Sequence, residues 1–269
     1  MSSSTNSKSS VQTQRLHEQI TALEAMKKYP KELFYRGDLS LLKRNKISIV
    51  GSRAPNQYAR HKTQELSNKL SKAGFCIVSG GAIGVDALAH RAAGVNNTIM
   101  VAATGADKHY PAINAKLIEE IESQGLVLSQ FADGMGATKY SFVLRNELVV
   151  ALGEVLVVSY ADLDSGTMRS VAFAQEMGKK IYVLPHRIGE SDGTNRLLQE
   201  GAASAIYDID SFVRSLNSSQ TPKGETESFK CYCQSNPTYE EALLKFGARV
   251  FEAELLGEIV VKNGLIELA

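Results

Sequence analysis

The sequence predicts an α/β fold: an extended Rossmann-like, mostly parallel sheet with helices on both faces, followed by a small C-terminal winged-helix-like domain. Three observations carry that expectation. Six short apolar runs recur, most of them separated by segments of helical length; glycine-rich or small-residue turns follow five of the runs; and the composition changes abruptly near residue 218.

Taken in order, residues 1–14 are rich in Ser, Thr, Asn and Gln and read as a disordered tail. Residues 15–46 read as a helical lead-in, punctuated by Tyr29-Pro30 and Gly37-Asp38, with Leu41 and Leu42 ahead of the first strand. Strands are expected at 47–50, 75–78, 98–103, 126–129, 155–159 and 181–184, and helices at 61–72, 85–93, 112–123 and 168–177. Such alternation favours a parallel sheet covered on both faces. The segment 131–146 breaks the rhythm with Asp133-Gly134-Met135-Gly136. Residues 218–224 have linker composition and divide a domain at 15–217 from one at 225–269. In the latter, 239–256 reads as helical, and 259–261, Asn263-Gly264 and 265–268 read as a terminal hairpin.

Composition narrows the function classes. The chain has 269 residues and is 43% hydrophobic, enough for one large domain and an appendage. Its apolar runs fall short of the roughly 20 residues that span a bilayer, and no secretory signal pattern opens the chain, so a cytoplasmic location is expected. The three cysteines are too few for a disulfide framework, and Cys76 sits inside an apolar strand pattern. Cys231 and Cys233 lack a second ligand pair at zinc spacing, so neither a metal nor a cofactor is expected. The net charge of +1 is no global signal for nucleic acid. From Glu225 onward, however, eight Glu face four Lys or Arg, which puts any polyanion site before residue 225.

In an open parallel sheet, ligands bind beyond the carboxyl ends of the strands. There the sequence carries Gly51-Ser52-Arg53, then Ser79-Gly80-Gly81-Ala82-Ile83-Gly84, Thr104-Gly105-Ala106-Asp107, Ser165-Gly166-Thr167 and Gly193-Thr194-Asn195. Glycine lets backbone N–H groups approach an anion, and a following helix N-terminus adds partial positive charge. Each turn alone is weak evidence; their recurrence along one edge indicates an anion site. Lys139, Phe142, Arg145 and Asn146 add the mixture of cations and rings that a polyanion carrying flat bases requires.

A nucleotide cofactor fits less well. The second turn is spaced G-G-x-x-G, not G-x-G-x-x-G, although Asp107 lies at a suitable distance downstream for a ribose; no P-loop motif occurs. Catalytic constellations are poor. Asp86 and His90 lie one helical turn apart without a paired nucleophile, His109 and Tyr110 are candidates to line the groove, and Asp162 and Asp164 read as turn formers. The chain is therefore expected not to be an enzyme.

At this point the motifs form a recognisable order. Tyr29-Pro30, Leu33 to Asp38, Ile49 to Arg53, Ile77 to Asp86 with Ala89-His90, Tyr110-Pro111 with Asn114, Arg145-Asn146, Ser165 to Thr167, Gly193 to Asn195 and Gly201-Ala202 resemble the DNA-processing protein A (DprA/Smf) family. The resemblance implies sequence-nonspecific binding and protection of single-stranded DNA and its handover to a RecA-type recombinase during natural transformation. It also implies a homodimer through the Rossmann-like domain. Carried over, the DNA pocket would use Gly51, Ser52, Arg53, Ser79, Gly80, Gly81, Lys139 and Phe142, with Arg145, Asn146, Ser165, Gly166 and Thr167 completing the signature.

There are departures. The second turn holds Ile83 where many members carry Arg, so Arg53 or Lys139 is expected to supply the missing charge. Gln130 stands where an acidic residue is usual, and the first 46 residues are too few for a separate SAM-like domain. The acidity of the C-terminal domain argues for a protein-contact or accessory role over a grip on duplex DNA. The alternative function is a nucleotide-processing phosphoribohydrolase of the lysine-decarboxylase-like Rossmann group, in which Ser170 stands where a catalytic glutamate belongs. A dinucleotide-dependent enzyme ranks third.

Overall fold

In the computed structural model, residues 12–218 and 229–268 are described; the expected tail as far as residue 11, and the expected linker beyond Ser218, lie outside them. The central strands are β3 (Lys46–Val50), β4 (Cys76–Gly80), β5 (Thr98–Ala102), β6 (Leu126–Ser129), β7 (Val155–Val158), β8 (Ile181–Val183) and β9 (Ser204–Ala205). Two earlier strands, β1 (Gln14–Arg15) and β2 (Phe34–Gly37), complete a nine-stranded sheet in the order β1-β2-β6-β5-β4-β3-β7-β8-β9. From β6 to β9 every neighbouring pair is parallel; β1, β2 and β6 pair antiparallel.

Alternation along the strands assigns the two faces. Ile99 and Val101 of β5 join a core with Leu148 to Leu152, Val171 and Ala174. Met100 and Ala102 of the same strand pack instead with Ala87, Leu117, Ile118 and Ile121. Helices α2 (Val85–Ala93) and α3 (Ala115–Gln124) therefore cover one face, and α4 (Lys139–Leu152) and α5 (Gly166–Glu176) the other. Helix α1 (Gln57–Lys72) joins β3 to β4 and buries Ala59, Leu66 and Leu70. The expected Rossmann-like, mostly parallel sheet is thus present.

Two elements depart from the sequence reading. The lead-in is not simply helical: it holds 3₁₀ turns at Thr21–Ala25 and Leu39–Lys43, but between them β2 closes the sheet edge against β6. Strand β2 is four half-buried residues, too short and too mixed to show a two-residue apolar period. Gln14, expected in the tail, lies in β1, and Thr13 accepts a hydrogen bond from Arg36 Nε at 2.7 Å.

The segment 131–146 does not break the βα order either, because Lys139 begins α4. Thr138 and Ser141 form a reciprocal capping box there. Beyond it, Leu148, Val149, Val150, Ala151 and Leu152 are all buried, which hides the helical period. Lys179 closes the other end of α4, donating to the Ala151 carbonyl at 2.6 Å and to that of Gly153. Burial lowers this ammonium to about 8.

The chain forms two compact units that part after Val213. The second has its own core of Phe229, Cys233, Ala242, Val250, Ala253, Ile259 and Ile266. The helical stretch expected at 239–256 is two helices, Tyr239–Phe246 and Ala248–Leu255, parted by Gly247 at φ +53°. The expected hairpin pairs Ile259–Lys262 with Leu265–Leu268.

Cys76 is buried in β4, and loss of solvation pushes its thiol up to about 12, whereas Cys231 is exposed. In the native protein a disulfide-exchange reagent should modify Cys231 rapidly and Cys76 only on unfolding. Rapid loss of the Cys76 thiol, read by peptide mass mapping, would contradict this packing.

Candidate functional site

Strand β3 lies between β4 and β7, and from it the chain winds outward first to β6 and then, on the other side, to β9. The reversal leaves a crevice at the carboxyl ends of β3 and β7, where adjoining turns diverge. A cavity of about 550 Å³ occupies that position, lined by the turns after β3, β4 and β7 and by the first half of α4.

Backbone contacts hold the turns. Ser52 N donates to the Tyr160 carbonyl at 2.8 Å, and Val85 N donates to that of Ser52 at 3.1 Å, so the turns after β3, β4 and β7 are bonded to one another. Gly51 packs so tightly on α2 that an added Cβ would lie 2.7 Å from Val85 Cγ2. Ser165 caps α5 with no partner for its side chain, and its Oγ is buried without a hydrogen bond.

Most of the expected site residues come together here. Gly51, Ser52, Arg53 and Gly80 line the cavity from the sheet, Lys139, Phe142, Arg145 and Asn146 from α4, and Ser165, Gly166 and Thr167 from α5 and its cap. Two do not. Gly81 lines a neighbouring cavity of about 170 Å³, and Ser79 is buried, donating through Oγ to the Ile49 carbonyl at 2.6 Å. Tyr110 also lines the smaller cavity, as does Ile83. His109, expected in the groove, lines neither and faces Glu122 at 3.0 Å.

The Phe142 ring is the organising surface. The Arg53 guanidinium carbon lies 5.6 Å from its centroid, that of Arg145 5.8 Å, and the Tyr110 ring 6.1 Å. Arg145 is buried, with Nε donating to Asn146 Oδ1 at 3.0 Å and one terminal nitrogen 3.8 Å from Asp86 Oδ2. Arg53 and Lys139, expected to supply the charge missing at Ile83, both line the cavity.

Sequence reasoning missed Asp86 and Arg169 as lining residues. Arg169 stands three residues after Gly166, close enough to an expected turn to have been included. Asp86 stands two residues after Gly84 and was equally close to an expected turn, but its pairing with Arg145 gave no signal, because that partner is on another helix.

The residues matched by the family model for DNA recombination-mediator protein A run from 13 to 217, and include every residue of this site. The chain belongs to that family. DNA processing protein A from Helicobacter pylori, a structure concerned with its single-stranded DNA binding mode, is 41% identical with a TM-score of 0.76, over 78% of this chain and 98% of that one. The crystallographic structure of the Streptococcus pneumoniae protein aligns at 32% identity and TM-score 0.69, over 75% of this chain and 73% of that one. In sequence, DNA processing protein DprA of S. pneumoniae is 38% identical over 177 residues, or 64% of this chain and 62% of that protein. Protein Smf of Synechocystis is 36% identical over 58% of this chain and 40% of its own length, so the chain spans less than two thirds of these two curated relatives.

Behind the pocket, His90 is buried, its Nε2 donating to the Gly80 carbonyl at 2.8 Å and its Nδ1 2.6 Å from the Thr98 hydroxyl. Burial depresses this imidazole from 6.5 to about 4. The unfolded chain thus takes up the proton first, so His90 supports the fold fully above pH 6.5, and that support is lost as pH falls toward 4. The loss should be on the order of 3 kcal/mol. Urea midpoints measured from pH 7 to pH 4 should fall less steeply in His90→Gln, and parallel curves would refute this source of acid sensitivity.

Proposed function

We propose that this chain binds single-stranded DNA without strong sequence preference, protects it, and delivers it to a RecA-type recombinase during natural transformation. It acts in the cytoplasm as a homodimer formed through the sheet domain, without catalysing a reaction. Among the described residues, no helix is long and apolar enough to cross a membrane.

The observation that carries this reading is the pairing of phosphate chemistry with a base-stacking surface across two adjoining cavities that share Arg53, Phe142 and Arg145. Arg53, Lys139, Arg145 and the start of α5 offer cations and unpaired N–H groups, while Phe142 and Tyr110 offer rings. A single-stranded polynucleotide presents the complementary alternation of charge and flat apolar surface. The H. pylori relative, whose structure concerns single-stranded DNA binding, supports the same assignment.

The 13 DNA-binding positions proposed are Gly51, Ser52, Arg53, Ser79, Gly80, Gly81, Lys139, Phe142, Arg145, Asn146, Ser165, Gly166 and Thr167. Ser79 and Gly81 act through the shape of their turn, since neither lines the larger cavity. The phosphoribohydrolase alternative lacks its acid: Ser170 occupies that position and is buried.

Fluorescence anisotropy with labelled oligo-dT should show binding at low salt that weakens steeply as salt is raised. Arg53→Ala and Lys139→Ala should each weaken binding and reduce the salt slope by about 0.7, the value for one phosphate contact on a single strand. Phe142→Ala should cost about 1 to 3 kcal/mol with little change in slope. Absence of binding by the wild type, or release of free base from a nucleoside monophosphate, would overturn the reading. Solution mass and recombinase filament assembly on oligo-dT test the dimer and the handover.

A further inference from the structure

The most unexpected group in the anion pocket is a carboxylate. Asp86 lines the cavity beside Arg145, although a negative charge there repels the proposed ligand. Its contacts show what it does. Oδ2 faces the Ala82 backbone N–H at 3.4 Å, inside the second glycine turn, and lies 3.8 Å from the Arg145 guanidinium. Arg145 Nε in turn donates to Asn146 Oδ1 at 3.0 Å, and Asn146 Nδ2 reaches the Gly166 carbonyl at 3.5 Å.

These contacts form a polar chain from the turn after β4, through α4, to the start of α5. Gly80 leaves the space it needs, because a Cβ there would overlap the Arg145 guanidinium and come within 2.7 Å of Asp86 Oδ2. Asp86 and Arg145 are both buried, so water screens the pair poorly and neither charge is readily left alone. Arg53 is the other cation acting on Asp86; His90, on its own helix, is committed to Gly80 and Thr98.

We infer that Asp86 is a positioning residue that holds Arg145 between two of the glycine turns, so that an anion pocket depends on an acidic side chain. The inference rests on the proposed binding of single-stranded DNA at this site. It reverses the sign expected from charge alone. By electrostatics, removing a carboxylate beside a polyanion site tightens binding; by positioning, it weakens it, because Arg145 is no longer held.

The test is Asp86→Asn, alone and with Arg145→Gln, titrated with labelled oligo-dT over a range of salt concentrations. Asp86→Asn should weaken binding about tenfold, the scale of one charge-assisted contact, and lower the salt slope by about 0.7. With Arg145→Gln already present, it should change neither quantity. Tighter or unchanged binding by Asp86→Asn, or the same loss in both backgrounds, overturns the inference.

A second readout needs no DNA. In the free protein the resonance of the Arg145 Nη1–H protons, which face Asp86 Oδ2, should be protected from solvent exchange, and Asp86→Asn should abolish that protection. An unaltered resonance overturns the inference, whereas a wild type that never binds oligo-dT counts against the proposed function. If Asp86→Asn does not fold because it leaves a buried guanidinium uncompensated, the double variant decides. Recovery of folding with both charges removed identifies the two as partners; failure to recover shows that they are not.

Discussion

The guanidinium of Arg145 lies against the backbone of Gly80 so closely that no larger residue fits there, and the arrangement of the site follows from that contact. It brings α4, which spans β3, β4 and β5, to the open end of the sheet. It places Phe142, one turn earlier on the same helix, where the side chains of Arg53 and Tyr110 meet its ring. It also obliges the protein to bury a positive charge, and the acid that answers it comes from the first turn of α2. Two helices on opposite faces of the sheet are thus joined through the strand ends by an ion pair.

The sheet was legible in the sequence because its central strands are buried on both faces and read as short, mainly apolar runs. The recurrence of small residues after those runs located the cavity for the same reason: parallel strands all end on one edge. Strand β2, next to the edge strand β1, was not legible, since half-burial leaves Phe34, Tyr35, Arg36 and Gly37 without a pattern. Helix α4 was obscured by the opposite condition, burial nearly all round its second half. Asp86 was read from its own helix, where His90 is the obvious neighbour. In the fold each has a different partner, and a contact between residues 86 and 145 has no local sequence signal.

Global charge was equally uninformative. A chain with a net charge of +1 carries a pocket in which Arg53, Lys139, Arg145 and Arg169 converge. Asp86 and Asp164 share that lining, while many of the other acidic residues, among them Glu240, Glu241, Glu252, Glu254 and Glu258, belong to the second compact unit. Local geometry, not the sum, sets the potential that a ligand meets.

The antiparallel edge has a consequence for how the chain reaches this state. Strand β2 pairs with β6, whose residues follow it by about ninety positions, and the intervening chain supplies β3, β4 and β5. During synthesis the N-terminal segment emerges first yet has nothing to join until the last strand on that side has formed. Until then β6 would present an unpaired edge, the feature by which sheets recruit foreign strands. The segment before β3 therefore acts as a latch that can fasten only once β6 exists, shielding that edge while β7, β8 and β9 are still to be added on the other side.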